Sequence, residues 1–275
     1  MKRRVIKLLL LAVLAVSLVA LGRQAWNNSR AKQDQAEAAA LVRMDPGFPT
    51  TASGDPLPKE AAALAYIDLD GLQAVNPDVV GWVEIPGTEL AYPLLQGEDN
   101  QYYLTHSWKQ EENSGGSIFL ESTSSPDLSD FHTIVYGHRM FNNSMFGTLK
   151  YYKDYSYWEA HPSVYLVVAD GVYRYDIFAA YQAGIEDTVY ELRWDGREEK
   201  LVQYALEQTV LDTGLEPQPG QRHLALSTCT GRGHAKRWVV HGVLGEEYRE
   251  RSASHEETNQ PAGPVSGVEP IGGLR

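Results

Sequence analysis

Residues 164–178 read Val-Tyr-Leu-Val-Val-Ala-Asp-Gly-Val-Tyr-Arg-Tyr-Asp-Ile-Phe, and this stretch carries a strong signal for a β-hairpin. Two runs rich in β-branched and aromatic residues, 164–168 and 172–178, flank the pair Asp170-Gly171. An Asp-Gly pair between such runs is typical of a tight turn, because both residues tolerate a positive φ angle. The stretch therefore predicts two neighbouring antiparallel strands.

Short apolar runs of the same kind recur on both sides of the hairpin. They are residues 81–86, 90–95, 117–121, 132–138, 223–228 and 238–244. Helical composition appears at residues 58–74, which open with a proline, and at residues 198–210. About eight short strands with inserted helices have the spacing of a β-barrel or a β-sandwich.

Composition excludes several classes of protein. The chain has 275 residues, of which 43% are hydrophobic and 10% aromatic, so it is not wholly disordered, collagen-like or a coiled coil. Its formal net charge is −12. The negative field of such a chain repels phosphate backbones, which disfavours nucleic acid as a partner. No glycine-rich phosphate loop follows a strand, so nucleotide chemistry has no support.

The chain opens with a basic segment and an apolar run. Residues 8–22 carry no charge, and a helix from residue 5 to 22 would be about 27 Å long at ~1.5 Å per residue. That length is close to the ~30 Å hydrocarbon thickness of a bilayer. A cleaved signal peptide and an uncleaved anchor compete here. The run lacks a clean Ala-x-Ala cleavage site, which favours the anchor, and the basic residues before it predict a cytoplasmic N-terminus with an external body.

The same patterns predict four segments. Residues 1–25 are the membrane anchor, and residues 26–56, which are polar and alanine-rich and then rich in turn residues, are a stalk or linker. Residues 57–248 form the folded domain. Residues 249–275 contain no Phe, Tyr or Trp and are predicted to be a disordered acidic tail.

The single cysteine, Cys229, lies at the end of an apolar strand and before a glycine-containing loop. One cysteine excludes an internal disulfide, and the absence of Cys-x-x-Cys and His-x-x-x-His spacings leaves us expecting no metal and no cofactor. A strand end holds a nucleophile in place while the loop keeps it accessible. A small hydrophobic residue filling the core is the alternative, and this motif alone leaves both open.

A reactive thiol needs a basic neighbour, and His138 has the best setting among the eight histidines. It directly follows a buried-looking strand and precedes a loop. His132 begins that same strand and could be a surface residue, whereas His241 reads as a packed core histidine. His234, in the loop after the cysteine, is a rival partner for the thiol.

Arg237 begins the last strand, eight residues after Cys229. A short connection between adjacent strands would bring the two residues together. A guanidinium keeps its charge and its fork of donors, so beside a thiol it would stabilise a developing oxyanion. An arginine of a surface ion pair is the alternative.

Four motifs occur in one order that resembles the class B sortases, cysteine transpeptidases of Gram-positive bacteria. They are Ile-Val-Tyr-Gly-His at 134–138, Asn-Asn-Ser-Met-Phe-Gly-Thr-Leu at 142–149, Leu-Ser-Thr-Cys at 226–229 and Arg-Trp-Val-Val-His-Gly at 237–242. Residues 99–106 are also similar, and the resemblance covers about 58–244. Ala225 departs from it, since the family often has threonine there, and we expect this to alter packing rather than chemistry.

The resemblance implies a mainly β fold: an eight-stranded sortase-type β-barrel with an N-terminal helix and a helix inserted between strands 6 and 7. It makes residues 57–248 the catalytic domain and implies catalytic roles for His138, Cys229 and Arg237. By the same resemblance, the substrate groove includes three further residues, Ser227, Asn100 and Leu104.

The implied function is that of a membrane-anchored cysteine transpeptidase. Such an enzyme cleaves a C-terminal sorting motif of secreted proteins through a thioester acyl-enzyme and transfers the acyl group to an amine, from a cell-wall cross-bridge or a pilin lysine. The implied location is the cell membrane, with a single span and an extracellular catalytic domain. An anchored cysteine peptidase or L,D-transpeptidase-like enzyme, and a non-catalytic surface binding module with Cys229 in its core, are the alternatives.

Overall fold

The computed structural model describes residues 2–41, 57–229 and 235–249, and eight strands among them close into a barrel in the order β1-β2-β3-β4-β7-β8-β6-β5. The strands are β1 Val79–Glu84, β2 Ala91–Leu95, β3 Ile118–Leu120, β4 His132–His138, β5 Ser163–Val168, β6 Gly171–Gly184, β7 His223–Cys229 and β8 Lys236–Arg249. The α-helices are α1 Lys2–Ala40, α2 Lys59–Leu64, α3 Leu69–Val75, α4 Tyr155–Ala160 and α5 Glu198–Gln208. Short 3₁₀ helices span Tyr102–Leu104, Phe146–Lys153 and Thr188–Tyr190.

Two pairings in the barrel are parallel, β2 with β3 and β4 with β7, and the other six are antiparallel. The predicted hairpin is β5–β6, in which Val168 pairs with Gly171. Helix α5 lies in the connection between β6 and β7. The predicted eight-stranded barrel with a helix between strands 6 and 7 is therefore confirmed.

The barrel interior is filled by apolar side chains from every strand. Val135, Leu226 and Val240 point inward from three neighbouring strands, and Phe146 enters from the 3₁₀ helix after β4. Each of these side chains is at most 1% exposed. Removing such a side chain from water stabilises the fold by about 1.5–3 kcal/mol, so the strand ends rest on a closely packed support.

The region predicted as one helix at residues 58–74 is two short helices, α2 and α3. The chain turns between them, and Asp68 caps α3 by accepting a hydrogen bond from the Gly71 N–H at 2.8 Å. Both helices pack on the outside of the barrel against Trp82. The cap explains the break, because an aspartate side chain that bonds the backbone favours a helix start over a helix interior.

Helix α1 begins near the N-terminus, and its stretch Ile6–Ala40 contains a candidate membrane span by length and composition. The helix does not end with the apolar run but continues through residues 26–40 of the segment assigned to the linker. There Asp34 and Ala38 are buried against the domain. Alanine, glutamate, glutamine and lysine favour helix, which accounts for the continuation. Residues 42–56 of the predicted linker, and the predicted tail from residue 250, lie outside the described residues.

Candidate active site

Strands β4, β7 and β8 lie side by side, and the three catalytic candidates occupy one level across them. Parallel pairing of β4 and β7 sets His138 opposite Cys229, and antiparallel pairing of β7 and β8 sets Cys229 opposite Arg237. Neighbouring strands are about 4.8 Å apart, so the three backbone positions fall within about 10 Å. Residues separated by up to 99 positions in the sequence are thus brought together at the ends of two strands and the start of a third.

Strand alternation places four levels of residues on the outer face of these strands. From the catalytic end they are His138/Arg237, at the backbone level of Cys229, then Tyr136/Ser227/Val239, Ile134/Ala225/His241 and His132/His223/Val243. The two lower levels lie beneath the segment that runs from the end of β6 through α5, because Ile134 and Ala225 pack in one cluster with Val189 and Ala205. The top level lies at the ends of β4 and β7 and at the start of β8.

The ring of His138 is oriented by the backbone of a neighbouring segment. Its Nε2 lies 2.7 Å from the Leu104 carbonyl oxygen. A carbonyl only accepts, so Nε2 carries the proton and donates it, and Nδ1 is the nitrogen that gains and loses a proton in acid–base chemistry. Leu104 therefore contributes to the site through its backbone.

The position of Leu104 depends on Gly116. The φ angle of Gly116 is +57°, and a Cβ there would lie 2.5 Å from the Tyr103 carbonyl and 2.8 Å from that of Leu104. The Ser117 N–H also donates to the Tyr103 carbonyl at 2.9 Å. Only glycine permits this close approach of two backbone segments, and the approach supports the carbonyl that orients His138.

Arg237 is half-buried, and its positive charge lowers the pKa of Tyr136, which lies one level further along the strands. Burial raises the pKa of Tyr136, the charge and hydrogen bonding of Glu121 raise it further, and the Arg237 guanidinium opposes the rise. Tyr136 is therefore a neutral donor at physiological pH, and Arg237 lies near its hydroxyl group. A guanidinium in this place presents several N–H donors at the level of the cysteine.

Asn100 and Tyr136 meet at a buried carboxylate. Glu121, 6% exposed, accepts from the Tyr136 hydroxyl at 2.9 Å through Oε2 and from Asn100 Nδ2 at 2.6 Å through Oε1. Asn100 Oδ1 in turn accepts from the Ser122 N–H at 2.9 Å. These bonds tie the predicted groove residue Asn100 to β4, one level below His138.

Ser227 is buried and contacts the covering segment on the other side. Its Oγ lies 2.8 Å from the Tyr190 hydroxyl, which comes from the 3₁₀ helix Thr188–Tyr190. Of the predicted groove residues, Leu104 and Asn100 thus lie on the β3–β4 side of the site, and Ser227 lies on the β7 side facing Tyr190. The structure thus places the three on two sides of the catalytic level.

Three polar residues of this site were missed by the sequence reasoning. Tyr136 could have been found, because it lies two positions before His138 and a strand puts alternate residues on one face. Glu121 and Tyr190 carried no such signal. Each comes from a different segment, and only the tertiary pairing reveals their proximity.

The other histidines considered as partners of Cys229 do not lie at its level among the described residues. His132, considered as a surface residue, is 2% exposed, and its Nε2 donates to the Val189 carbonyl at 2.8 Å. His241 is buried as expected, with Nδ1 3.0 Å from the Tyr181 hydroxyl. Both lie at lower levels of the outer face than Cys229, and His234 lies outside the described residues.

His132 and His241 form a buried group with His223. The ring of His241 lies 5.5 Å from that of His132 and 5.3 Å from that of His223, centroid to centroid. Burial lowers the pKa of His132 to about 4 and that of His223 to about 3, and burial with the neighbouring rings lowers the pKa of His241 well below its ordinary value. The three rings are therefore neutral packing elements. Within residues 2–41, 57–229 and 235–249, no group of three or more His, Cys, Asp or Glu side chains has the arrangement of a metal site.

Comparison with known proteins gives one family. The sortase domain model matches residues 83–245. Sortase B of Listeria monocytogenes is 35% identical over 181 residues, which cover 64% of this chain and 74% of that protein. Sortase B of Staphylococcus aureus is 32% identical over 164 residues, 58% of this chain and 66% of that protein.

A solved structure agrees with these relatives. A crystal structure of sortase B complexed with triglycine is 28% identical, covers 64% of this chain and 85% of its own, and has a TM-score of 0.61. The matched region contains β2 to β7, the end of β1, most of β8 and all three residues of the catalytic level. The chain therefore belongs to the sortase family, within class B, and is a sortase-type cysteine transpeptidase.

Proposed function

We propose that this chain is a membrane-anchored transpeptidase in which Cys229, His138 and Arg237 carry the reaction. The observation that supports this most is the shared level of the three residues across β4, β7 and β8. A nucleophile, an acid–base group and a permanent cation in one place are the set that acyl transfer through a thioester requires.

The first half-reaction forms the acyl-enzyme. The Cys229 thiolate attacks the backbone carbonyl carbon of a peptide bond in the sorting motif, and the carbonyl oxygen takes up the negative charge of the tetrahedral intermediate. Arg237 donates hydrogen bonds to that oxyanion. The C–N bond breaks as His138 gives its Nδ1 proton to the departing amine, and a thioester remains on Cys229.

The second half-reaction transfers the acyl group. His138, now neutral, removes a proton from an incoming amine, whose nitrogen attacks the thioester carbonyl. The second tetrahedral intermediate collapses to a new amide and releases the Cys229 thiolate, so that thiolate and imidazolium are restored. The Nε2–H bond to the Leu104 carbonyl at 2.7 Å keeps the ring oriented in both half-reactions.

The active ionisation state is a minority form at neutral pH. An ordinary thiol titrates near ~8.5 and an ordinary imidazole near ~6.5, so without strong coupling most molecules hold a thiol and a neutral ring. The thiolate–imidazolium pair is the reactive form. Its population peaks between the two pKa values, which gives a bell-shaped dependence of kcat/KM on pH.

We infer that the groove is formed by Leu104 and Asn100 on one side and Ser227 on the other. Asn100 is held by its hydrogen bond of 2.6 Å to Glu121. Ser227 is held by its hydrogen bond of 2.8 Å with the Tyr190 hydroxyl. Side chains fixed in this way bind a peptide without losing further conformational freedom.

The donor is a secreted protein with a C-terminal sorting motif, and the acceptor is an amine of the cell wall or of a pilin. One relative supports an amine acceptor, because a sortase B structure of 28% identity is complexed with triglycine, a short peptide with a free amine. Helix α1 would hold the enzyme in the cell membrane, with the basic segment 2–7, which carries four Lys and Arg residues, in the cytoplasm and the barrel outside.

The test is a ligation assay on the full chain in detergent. Candidate sorting peptides are mixed with the enzyme with and without triglycine, and products are separated by mass. We expect cleavage of one peptide class, with the N-terminal fragment joined to triglycine when it is present, and no product from Cys229→Ala. Cleavage to the free acid alone, whatever the triglycine concentration, would identify a peptidase and contradict the proposal.

A structural role for Cys229 is tested in the same samples. A buried core cysteine would resist a small alkylating reagent in the native protein, whereas a nucleophile is alkylated and the activity is lost with it. Failure of alkylation together with failure of ligation would leave a binding module and overturn the catalytic assignment.

A further inference from the structure

Helix α1 continues beyond its apolar run and contacts two segments of the domain that also adjoin His138. Two consecutive helix residues make these contacts, Asp34, which is buried, and Gln35, which is half-buried. Both line one small cavity under the helix, together with Gly116 and Met145. Gly116 supports the acceptor of the His138 hydrogen bond, and Met145 belongs to the loop that follows His138. The helix is therefore connected to the site through side chains of its own.

The Asp34 side chain holds the segment that carries the acceptor of the His138 proton. Asp34 Oδ2 accepts from Asn113 Nδ2 at 3.4 Å, and the Asn113 N–H donates to the Thr105 carbonyl at 2.8 Å. Thr105 directly follows Leu104, whose carbonyl oxygen lies 2.7 Å from His138 Nε2. Because Asn113 is bonded to the helix and to Thr105, a shift of its side chain moves the acceptor that orients the ring.

The Gln35 side chain holds the loop that follows the same histidine. Gln35 Oε1 accepts from the Tyr92 hydroxyl at 3.3 Å, and this hydroxyl accepts from the Met145 N–H at 2.9 Å. Met145 forms an isolated antiparallel bridge with Arg139, the residue directly after His138. The second path thus leads from the helix to the backbone next to the ring.

The backbone of Met145 is in a conformation that needs support. Its φ and ψ angles are +52° and −127°, and residues with a side chain rarely adopt a positive φ. Burial raises the pKa of Tyr92 to about 12, so its hydroxyl keeps the proton that it donates to Gln35. Gln35 is itself fixed, because its Nε2 donates to the Glu89 carbonyl at 2.8 Å. Strained backbone persists where its surroundings hold it in this way.

The helix backbone is docked at the same place by a separate contact. Trp108, 5% exposed, donates from Nε1 to the Asp34 carbonyl at 3.0 Å. This bond uses the main chain of the helix, so it survives when the side chains of Asp34 and Gln35 are removed. The part that the two side chains play can therefore be separated from docking of the helix as a whole.

We propose that Asp34 and Gln35 are positioning residues of the active site, which hold the Leu104 carbonyl and the Arg139 backbone on either side of His138. Their role rests on the function proposed above, in which His138 is the acid–base group. Both residues lie outside the matched sortase domain, residues 83–245. The helix that contains the candidate membrane span thus also supports the catalytic geometry.

The hydrogen bond of the His138 ring can be measured without a substrate. The full chain is labelled with ¹⁵N-histidine in detergent, and the ring signal of His138 is assigned by its loss in His138→Gln. The rate at which the Nε2 proton exchanges with water is compared, at one pH, between the parent chain and the double variant Asp34→Ala/Gln35→Ala. Arg30→Ala is the matched control, since it breaks the exposed ion pair with Glu111 on the same helix and leaves both paths intact.

We expect the ring proton to exchange several-fold faster in the double variant and at the parent rate in Arg30→Ala. In the ligation assay the double variant should lose about tenfold in kcat with KM nearly unchanged, because a misplaced acid–base group slows the chemical step. Asp34→Asn keeps an oxygen that accepts from Asn113, so its kcat should exceed that of Asp34→Ala. Melting temperatures of all variants are measured in parallel.

Exchange at the parent rate in the double variant would overturn the positioning role, whatever its kcat. Equal losses of kcat and of melting temperature in the double variant and in Arg30→Ala would also overturn it, since they would reflect helix docking alone. Faster exchange in the double variant, together with a parent chain that ligates no peptide, would count against the proposed function and support the two paths to His138.

Discussion

A single hydrogen bond orients the acid–base group that we propose for this site. With Nε2 of His138 donating to the Leu104 carbonyl at 2.7 Å, the ring is held in one tautomer while Nδ1 exchanges protons. The arginine opposite Cys229 is proposed to act differently, through a charge that does not titrate. In the proposed mechanism His138 moves protons, and Arg237 stabilises the oxygen that develops negative charge.

The substitution Arg237→Lys tests the proposed oxyanion role of this arginine. Lysine keeps the charge but loses the planar fork, so we expect kcat/KM of ligation to fall by about 10²–10³, close to the loss in Arg237→Ala. Arg249→Lys, at the other end of β8 and half exposed, is the matched control and should keep full activity. Near-native kinetics of Arg237→Lys in the peptide ligation assay would remove the oxyanion role.

The residues of the site were predictable where a strand end coincided with a reactive side chain. His138 and Cys229 each follow an alternating apolar run, and Arg237 begins one. Glu121 and Tyr190 were not predictable, because their proximity comes from segments whose positions no local pattern specifies. Sequence reasoning finds such a site by its chemistry and misses the polar groups that hold it.

Gly116 links one structural element to the catalytic level. Replacing it with alanine would place a Cβ 2.5 Å from the Tyr103 carbonyl and 2.8 Å from that of Leu104, so these carbonyls must move. We expect Gly116→Ala to lower Tm and to lower kcat/KM, because the acceptor of the His138 bond is displaced. Thermal unfolding and ligation rates measure the two effects.

Gly220→Ala is the control for backbone strain. Gly220 has a similar left-handed φ of +80°, with no atom within 4 Å of a Cβ. Alanine there costs about 1 kcal/mol of conformational strain and should leave catalysis unchanged. Equal effects of the two substitutions on kcat/KM would show that the contact with residues 103 and 104 is irrelevant to the site.

Elements were predicted more reliably than their connections. The hairpin β5–β6 and helix α5 follow from turn chemistry and composition, and the structure contains both. The segment at 26–40 has helix-favouring residues but was assigned to a linker, since its docking partner, the 107–114 segment, is distant in sequence. The parallel pairing of β4 with β7 was likewise invisible, because 84 residues separate their ends.

The whole molecule should be sensitive to acid through its three buried histidines. Their pKa values lie below the ordinary 6.5, at about 4 for His132 and about 3 for His223, with burial as the main cause. Between pH 6.5 and about 4 the unfolded chain binds protons that the folded chain does not. The free energy of unfolding therefore falls as pH falls, by about 1.4 kcal/mol per pH unit for each histidine.

His223→Phe tests this account. The ring lies among Phe131, Phe178 and His241, so an aromatic replacement keeps the packing and removes one proton-binding group from the unfolded chain. The free energy of unfolding is obtained from denaturant titrations between pH 7.5 and 4.5. Below pH 6.5 we expect its slope against pH to decrease by the contribution of one bound proton, about 1.4 kcal/mol per pH unit. An unchanged slope would mean that His223 is protonated in the folded protein.

The measurement that tests the central claim most directly is the intact mass of the full chain during turnover. The enzyme is mixed, in the absence of any amine, with an intact sorting peptide that it is able to cleave. The modified residue is then located by fragmentation of the enzyme. The account predicts a mass increase equal to the N-terminal peptide fragment, confined to Cys229, that disappears on addition of triglycine as ligated peptide forms. Peptide turnover with no adduct on Cys229, or turnover that persists in Cys229→Ala, would contradict it.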